Sequence, residues 1–314
     1  MKVVFLGTSE TKIPIEIHKN HNLEGIIQCT KNKSYLKQIV FNITQNIYYR
    51  FKKKLSLKKF SQQNNIPYFK YTKRKTDPKQ NSNLITWLRK IQPDILVVYS
   101  CPYLLDDKIF QEFKIGAINT HASYLPEFRG PNPTFWVYYY QKKFTGITIH
   151  HLDKGEDTGN IILQEKIPIT AGLTIQELEK QSLKIAIKLI LKVLTQFKQN
   201  TWTETSQPIE PQTTRAKRLN KKDYENIPLW EIFSTEQVWH CLNGTHDWIH
   251  FVKNKTKLFN LLSFTILTYE KHKKNQNQLG HLIFKKSKAY LQCKDGIIHL
   301  SYKIDPKKII LKSL

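Results

Sequence analysis

A chain of 314 residues with 40% hydrophobic content is long enough for a full core, favours two domains over one, and is not a disordered polymer. No apolar run reaches the length of a membrane span, and four scattered cysteines without a C-x-x-C spacing argue against a zinc site and a disulfide framework, so a reducing cytoplasm is the expected compartment. The net charge of +25 fits a nucleic-acid partner, and it fits equally a compositional bias that fills solvated surface with lysine.

The opening run "KVVFLG" predicts a strand closed by Gly7, not a signal peptide, and "TSETKIPIEIHKN" predicts the helix that follows. "NLEGIIQC" (22–29) predicts a second strand. Residues 31–80 hold fourteen Lys or Arg against one acid, Asp77, and read mainly as helix with a basic face. "IPYFKY" is strand-like, and "NSNLITWLRKIQ" is a helix ended by Pro93. "DILVVYS" (94–100) has an unbroken apolar run from Ile95 to Val98, as in the middle of a parallel sheet. A short helix, "KIFQEFK", leads through Gly116 to the strand "AINTH". This alternation predicts an α/β fold with a doubly wound, mostly parallel, Rossmann-like sheet. "TGITIHHL" and "NIILQEKIPI" continue the strands, and "TIQELEKQSLKIAIKLILKVLTQFKQ" is a long amphipathic helix.

The organisation expected is a catalytic domain over 1–200, a polar linker with two prolines over 201–217, and a smaller, mostly-β domain over 218–314. That last part has one helix, "STEQVWHCLNG", short alternating runs, and a hairpin signal in "KDGII". It reads as a small OB-like barrel or curled sheet.

Chemistry concentrates in "INTHASYLPEFRG" (118–130). Asn119 and His121 are two apart in a strand, so they share a face at the strand's carboxyl end, where open α/β sheets bind ligands. An imidazole shuttles protons near neutral pH, and a side-chain amide donates to a developing oxyanion. Pro126, Gly130, Pro131 and Pro133 stiffen the loop that follows, with Ser123 before it and Arg129 within it. "DKGEDTG" then sets Asp157 in a turn between Gly155 and Gly159, residues that permit unusual backbone. His150 and His151 face opposite sides of a strand and read as structural or peripheral.

These residues carry a resemblance. Asn119-x-His121-x-Ser123-x-Leu125-Pro126-x-x-Arg129-Gly130, then Thr145-Gly146-x-Thr148, then Asp157-Thr158-Gly159, resemble the 10-formyltetrahydrofolate-dependent formyltransferases. Within that family the pattern is most like the methionyl-tRNA formyltransferases, and "VVFLGT", "PDILVVYS" and "AKRLNKKD" extend the likeness over most of the chain. The resemblance implies catalysis by Asn119, His121 and Asp157. It implies folate binding along Tyr99, Ser100, Cys101, Tyr103 and Leu104 and at Asp153 and Gly155, and a substrate loop with Ser123, Pro126, Arg129 and Gly130. It implies 10-formyltetrahydrofolate as formyl donor, with no metal and no membrane partner, in a monomeric chain. The acceptor it implies is the amino group of methionyl-tRNA in translation initiation; with tRNA as the partner, the basic block is expected to hold it, with Lys52, Lys53, Lys54, Lys58 and Lys59 meeting phosphates.

Two departures bear on the acceptor. Residues 30–60 contain no glycine or proline where the family has a Gly/Pro/Arg-rich loop, and "RGPNPTFW" carries Asn132 and Trp136 where small residues are usual. Trp136 and Tyr140, one helical turn apart, read as core packing. A small amine such as an amino-sugar nucleotide is therefore the alternative acceptor.

Overall fold

The computed structural model describes residues 1–30, 55–72, 79–211, 213–255, 258–272, 278–286 and 288–305. Most of the basic block, including Lys52, Lys53 and Lys54, lies outside the described residues; Lys58 and Lys59 lie inside them and are exposed. Contacts divide the chain into two units. The first comprises 1–131, 146–167 and 181–215, and the second 132–145, 168–180 and 216–314.

In chain order the elements up to residue 199 are β1 (Lys2–Gly7), α1 (Lys12–Asn20), β2 (Asn22–Cys29), α2 (Leu57–Gln63), β3 (Tyr68–Tyr71), α3 (Lys79–Ile91), β4 (Ile95–Tyr99), α4 (Asp107–Phe110), β5 (Gly116–His121), α5 (Pro133–Tyr139), β6 (Phe144–His151), β7 (Ile161–Pro168) and α6 (Ile175–Gln199). The seven strands form one sheet in the order β3-β2-β1-β4-β5-β6-β7. The pairs β2–β3, β1–β2, β1–β4 and β4–β5 are parallel, and β5–β6 is antiparallel. The strand order turns back between β1 and β4, which opens a crevice at their carboxyl ends.

Burial explains why these runs become the sheet's centre. Val3, Val4, Phe5 and Leu6 of β1 and Ile95, Leu96 and Val97 of β4 have no exposure, which requires cover on both faces. Helix α3 supplies part of it: Leu84 and Leu88 join Leu6, Ile27 and Val98 in one cluster. Gly25 in β2 makes room for that helix, because a Cβ there would stand 2.7 Å from the Trp87 ring. Side-chain caps start the short helices, Ser56 accepting from the Lys59 N–H and Asp106 from the Lys108 N–H.

The second unit carries α7 (Lys221–Asn226), α8 (Leu229–Ile232), α9 (Thr235–Gly244), β8 (Leu262–Lys271), β9 (Leu282–Lys285), β10 (Lys288–Cys293) and β11 (Gly296–Ile304). The mostly-β character expected here takes the form of a four-stranded antiparallel sheet, β8-β11-β10-β9, with Leu291, Ile298 and Leu300 fully buried. A capping box of Ser234 and Gln237 opens α9, and Thr235 bonds through both its N–H and its hydroxyl to Asp295 in the β10–β11 turn. Helix α5 groups with this unit. Trp136 is 7% exposed and its indole N–H donates to the Lys217 carbonyl at 2.8 Å, in line with core packing, whereas Tyr140, on which its ring stacks, is 44% exposed and not in the core. The Asn132 amide donates to Asp247 at 3.1 Å. No helix among the described residues is long and apolar enough to cross a membrane.

The stretch expected as a linker is tied to the first unit along much of its length. Thr205 exchanges backbone hydrogen bonds with Ile161 at 2.8 Å, the Thr213 hydroxyl accepts from the Phe128 N–H, and Arg215 pairs with Glu156. A polar run without periodicity thus follows a fixed path here, held by backbone and side-chain hydrogen bonds and an ion pair.

Candidate active site

Three segments converge on one carboxylate. Strand β5 ends with Asn119 and His121, the loop after it brings Gly130, and the turn after β6 brings Asp157. Asp157 has φ +58°, a left-handed conformation that aspartate tolerates better than most residues, and this aims its side chain back at the strand. Its Oδ1 accepts from the Asn119 amide at 3.2 Å, and its Oδ2 accepts from the Gly130 N–H at 2.9 Å. His121 Nδ1 stands 3.5 Å from Oδ2 and His150 Nε2 3.5 Å from Oδ1. Gly159 is required beside this turn: a Cβ there would lie 2.0 Å from the His151 carbonyl oxygen.

His150 is the member that the sequence analysis placed outside the site. The β5–β6 register sets it directly opposite Asn119, and it is fully buried. Its Nδ1 lies 2.8 Å from the His151 carbonyl, which can only accept, so Nδ1 carries a proton and Nε2 is the acceptor in the neutral ring. The Asn119 amide then directs one N–H to His150 Nε2, at 3.2 Å, and the other to Asp157. His151 points away and pairs with Glu204 at 3.0 Å.

The same reasoning assigns His121. Its Nε2 is 3.0 Å from the Phe128 carbonyl and is therefore protonated in both charge states, so the titrating nitrogen is Nδ1, the one beside Asp157. Burial lowers the His121 pKa, with Asp157 and the Phe128 carbonyl opposing that shift. Burial also works against the Asp157 charge. The Gly130 N–H, and His150 and His121 when they carry a proton toward the carboxylate, outweigh it and hold the carboxyl at about 2, against an ordinary 3.8.

Asp157 therefore stabilises the fold above its unfolded-state pKa, and this contribution is lost as pH falls from about 4 through about 2. Roughly 1 kcal/mol should be gone between pH 5 and pH 3. Urea midpoints of wild type and Asp157→Asn over that range check it: the wild type should lose more, and parallel losses would refute the ionised native carboxylate.

Most of the other residues singled out in the signature loop hold the loop itself. The Ser123 hydroxyl donates to the Glu127 carbonyl at 2.6 Å, and Pro126 follows a cis peptide bond. Arg129, expected on the substrate side, is instead 6% exposed and engaged by the chain at 207–209. Its guanidinium donates to Gln207 Oε1 and to the carbonyls of Pro208 and Ile209. Asp153 accepts from the Gly155 N–H and the Thr158 hydroxyl and so shapes the turn before Asp157. Tyr99, Ser100, Cys101, Tyr103 and Leu104 follow one another at the carboxyl end of β4, next to the sheet's turning point. Ser100 and Leu104 are exposed there, and Tyr103 donates its hydroxyl to the Thr30 carbonyl.

Residues 11–194 match the family described as formyl transferase. The chain is 28% identical over 251 residues to the methionyl-tRNA formyltransferase of Clostridium acetobutylicum, covering 79% of this chain and 74% of that protein. It is 30% identical over 224 residues to the methionyl-tRNA formyltransferase of Caldicellulosiruptor saccharolyticus, covering 71% and 70%. Among solved structures it resembles the N-formyltransferase of Helicobacter canadensis in complex with folinic acid and dTDP-3-aminofucose, at TM-score 0.59 and 16% identity over 96% of this chain and 98% of that one.

Proposed function

Because the chain belongs to the formyl transferase family, we propose that it moves the formyl group of 10-formyltetrahydrofolate to the amino group of methionyl-tRNA, with Asn119, His121 and Asp157 as its catalytic residues. The observation that carries the catalytic part is the convergence of an amide, an imidazole and a carboxylate held at about 2 at the carboxyl end of β5. The acceptor rests on the names of the relatives that align over most of the chain, and the charge of +25 suits a polyanion.

The residues divide the reaction as follows. The acceptor's amine attacks the formyl carbon, the new C–N bond forms, and the carbonyl electrons move onto oxygen. The Asn119 amide donates to that oxyanion. Both of its present bonds are 3.2 Å, at the long end for N–H donors, so a full negative charge draws one of them away. The amine's proton passes to Nδ1 of neutral His121, and Asp157 stabilises the imidazolium so formed. The C–N10 bond then breaks, the carbonyl is restored, and the proton reaches N10. Neither a metal nor a covalent enzyme intermediate enters these steps.

Purified protein with 10-formyltetrahydrofolate should release tetrahydrofolate when charged initiator methionyl-tRNA is added. Release on adding amino-sugar nucleotides, and none with the tRNA, would replace the acceptor. Release with neither would reject formyl transfer to both classes.

A further inference from the structure

The polar stretch after α6 brings one side chain, Gln207, against the turn that carries Asp157. Gln207 is half-buried while its neighbours Ser206 and Pro208 are exposed. Its amide nitrogen donates to the Asp157 carbonyl at 3.0 Å and to the Gly159 carbonyl at 2.6 Å. Its amide oxygen accepts from Arg129 twice, through Nε at 3.1 Å and through a terminal nitrogen at 3.0 Å. Arg129 also donates to the Pro208 and Ile209 carbonyls, which fixes the backbone that carries Gln207.

We propose that Gln207 is a positioning residue for the catalytic carboxylate, bridging Arg129 to the Asp157 and Gly159 carbonyls and so fixing the turn that presents Asp157 to His121 and Asn119. This rests on Asp157 being catalytic. Asp157 holds a left-handed conformation, and a non-glycine residue stays there only where its surroundings oblige it to. The residue's own side chain is committed to Asn119 and Gly130, so its backbone needs a separate anchor. Gln207 is that anchor, and it spans the turn by bonding the carbonyls on both sides of Thr158. Glutamine suits the task because one planar group offers an acceptor to the guanidinium and two donors to the carbonyls. Glutamate would still pair with Arg129 but would set a carboxylate oxygen against the two carbonyls.

The test uses the full chain with Gln207→Leu, Gln207→Glu, and Gln207→Leu combined with Asp157→Ala. Both single variants should lower kcat about 10- to 100-fold with the KM for 10-formyltetrahydrofolate changed less than about threefold. In the Asp157→Ala background, Gln207→Leu should add almost nothing, because the group it positions is gone. A loss of folded protein would reappear undiminished in that background and would overturn the proposal, as would wild-type kcat in Gln207→Glu. If Asp157→Ala alone keeps full turnover, the catalytic reading of Asp157 fails, and the positioning role with it.

A second readout needs no turnover. The groups facing His121 are Asp157, His150, Glu156 and the Phe128 carbonyl, and Asp157 is the foremost of those that raise its pKa. Releasing Asp157 should therefore lower the His121 titration midpoint, followed by NMR of the ring protons, by about half a unit or more in Gln207→Leu. An unmoved midpoint in a folded Gln207→Leu protein would overturn the proposal whatever the acceptor.

Discussion

Asp157→Ala is expected to lower kcat by about 10²- to 10⁴-fold in a protein that still folds, and His121→Ala to do the same. Removal of the carboxylate takes away the partner of the Asn119 amide and the Gly130 N–H, and the charge that favours a proton on His121 Nδ1. With burial already lowering the His121 pKa, the imidazolium that forms as the amine loses its proton then keeps only the Phe128 carbonyl and Glu156 among the groups that raise it. Steady-state release of tetrahydrofolate measures the loss, and circular dichroism with a thermal melt establishes folding. Near-normal turnover in either folded variant would remove His121 or Asp157 from the chemistry. The two substitutions together should cost little more than the worse one, since both serve one proton transfer.

Asn119→Ala is expected to cost kcat about 10²-fold, on the order of 3 kcal/mol, with the donor's KM nearly unchanged. The reason is that its bond to substrate grows with the charge on the carbonyl oxygen. In the free protein the amide is shared between Asp157 and His150, and neither bond is short. Binding therefore gains little from the exchange, while the transition state, with a fuller charge, gains more. A variant in which KM rises and kcat holds would make Asn119 a folate-positioning residue. Loss of folded protein is not expected, because Asn119 is only half-buried and its strand is paired on both sides.

Much of this was legible in residue order alone. The strands of β1 and β4 announce themselves because burial on both faces demands unbroken apolar runs. Asn119 and His121 share a face because strands alternate, and the glycines around Asp157 advertise unusual backbone. Other features depend on partners far along the chain. His150 became a neighbour of Asn119 through the antiparallel register of β5 and β6, and spacing within either strand does not reveal that register. Arg129 reads as a residue of a substrate loop, and its bonds to the carbonyls of 208 and 209 come from a segment some 80 residues away. Gln207 sits in a run with no hydrophobic period, so its bonds leave no trace in sequence pattern. Helix α5 reads as part of the first domain because it follows β5 directly, yet its packing groups it with residues after 216.

The strand order also governs how this site comes into being. The centre of the sheet joins β1 to β4, pairing Val3 with Ile95 and Phe5 with Val97, so an unfolded chain must close a loop of roughly 90 residues before its two most buried strands meet. The crevice wall exists only after that closure, and the Asn119–Asp157–Gln207 constellation needs two further closures beyond it. Such non-local pairing is slow compared with helix formation, and the apolar edges of β1 and β4 stay uncovered while it is pending. During synthesis β1 has β2 as an early neighbour, but its other edge must wait for β4, which emerges almost a third of the chain later. The active site is consequently built on long-range closures, and one edge of β1 stays unpaired until β4 joins it.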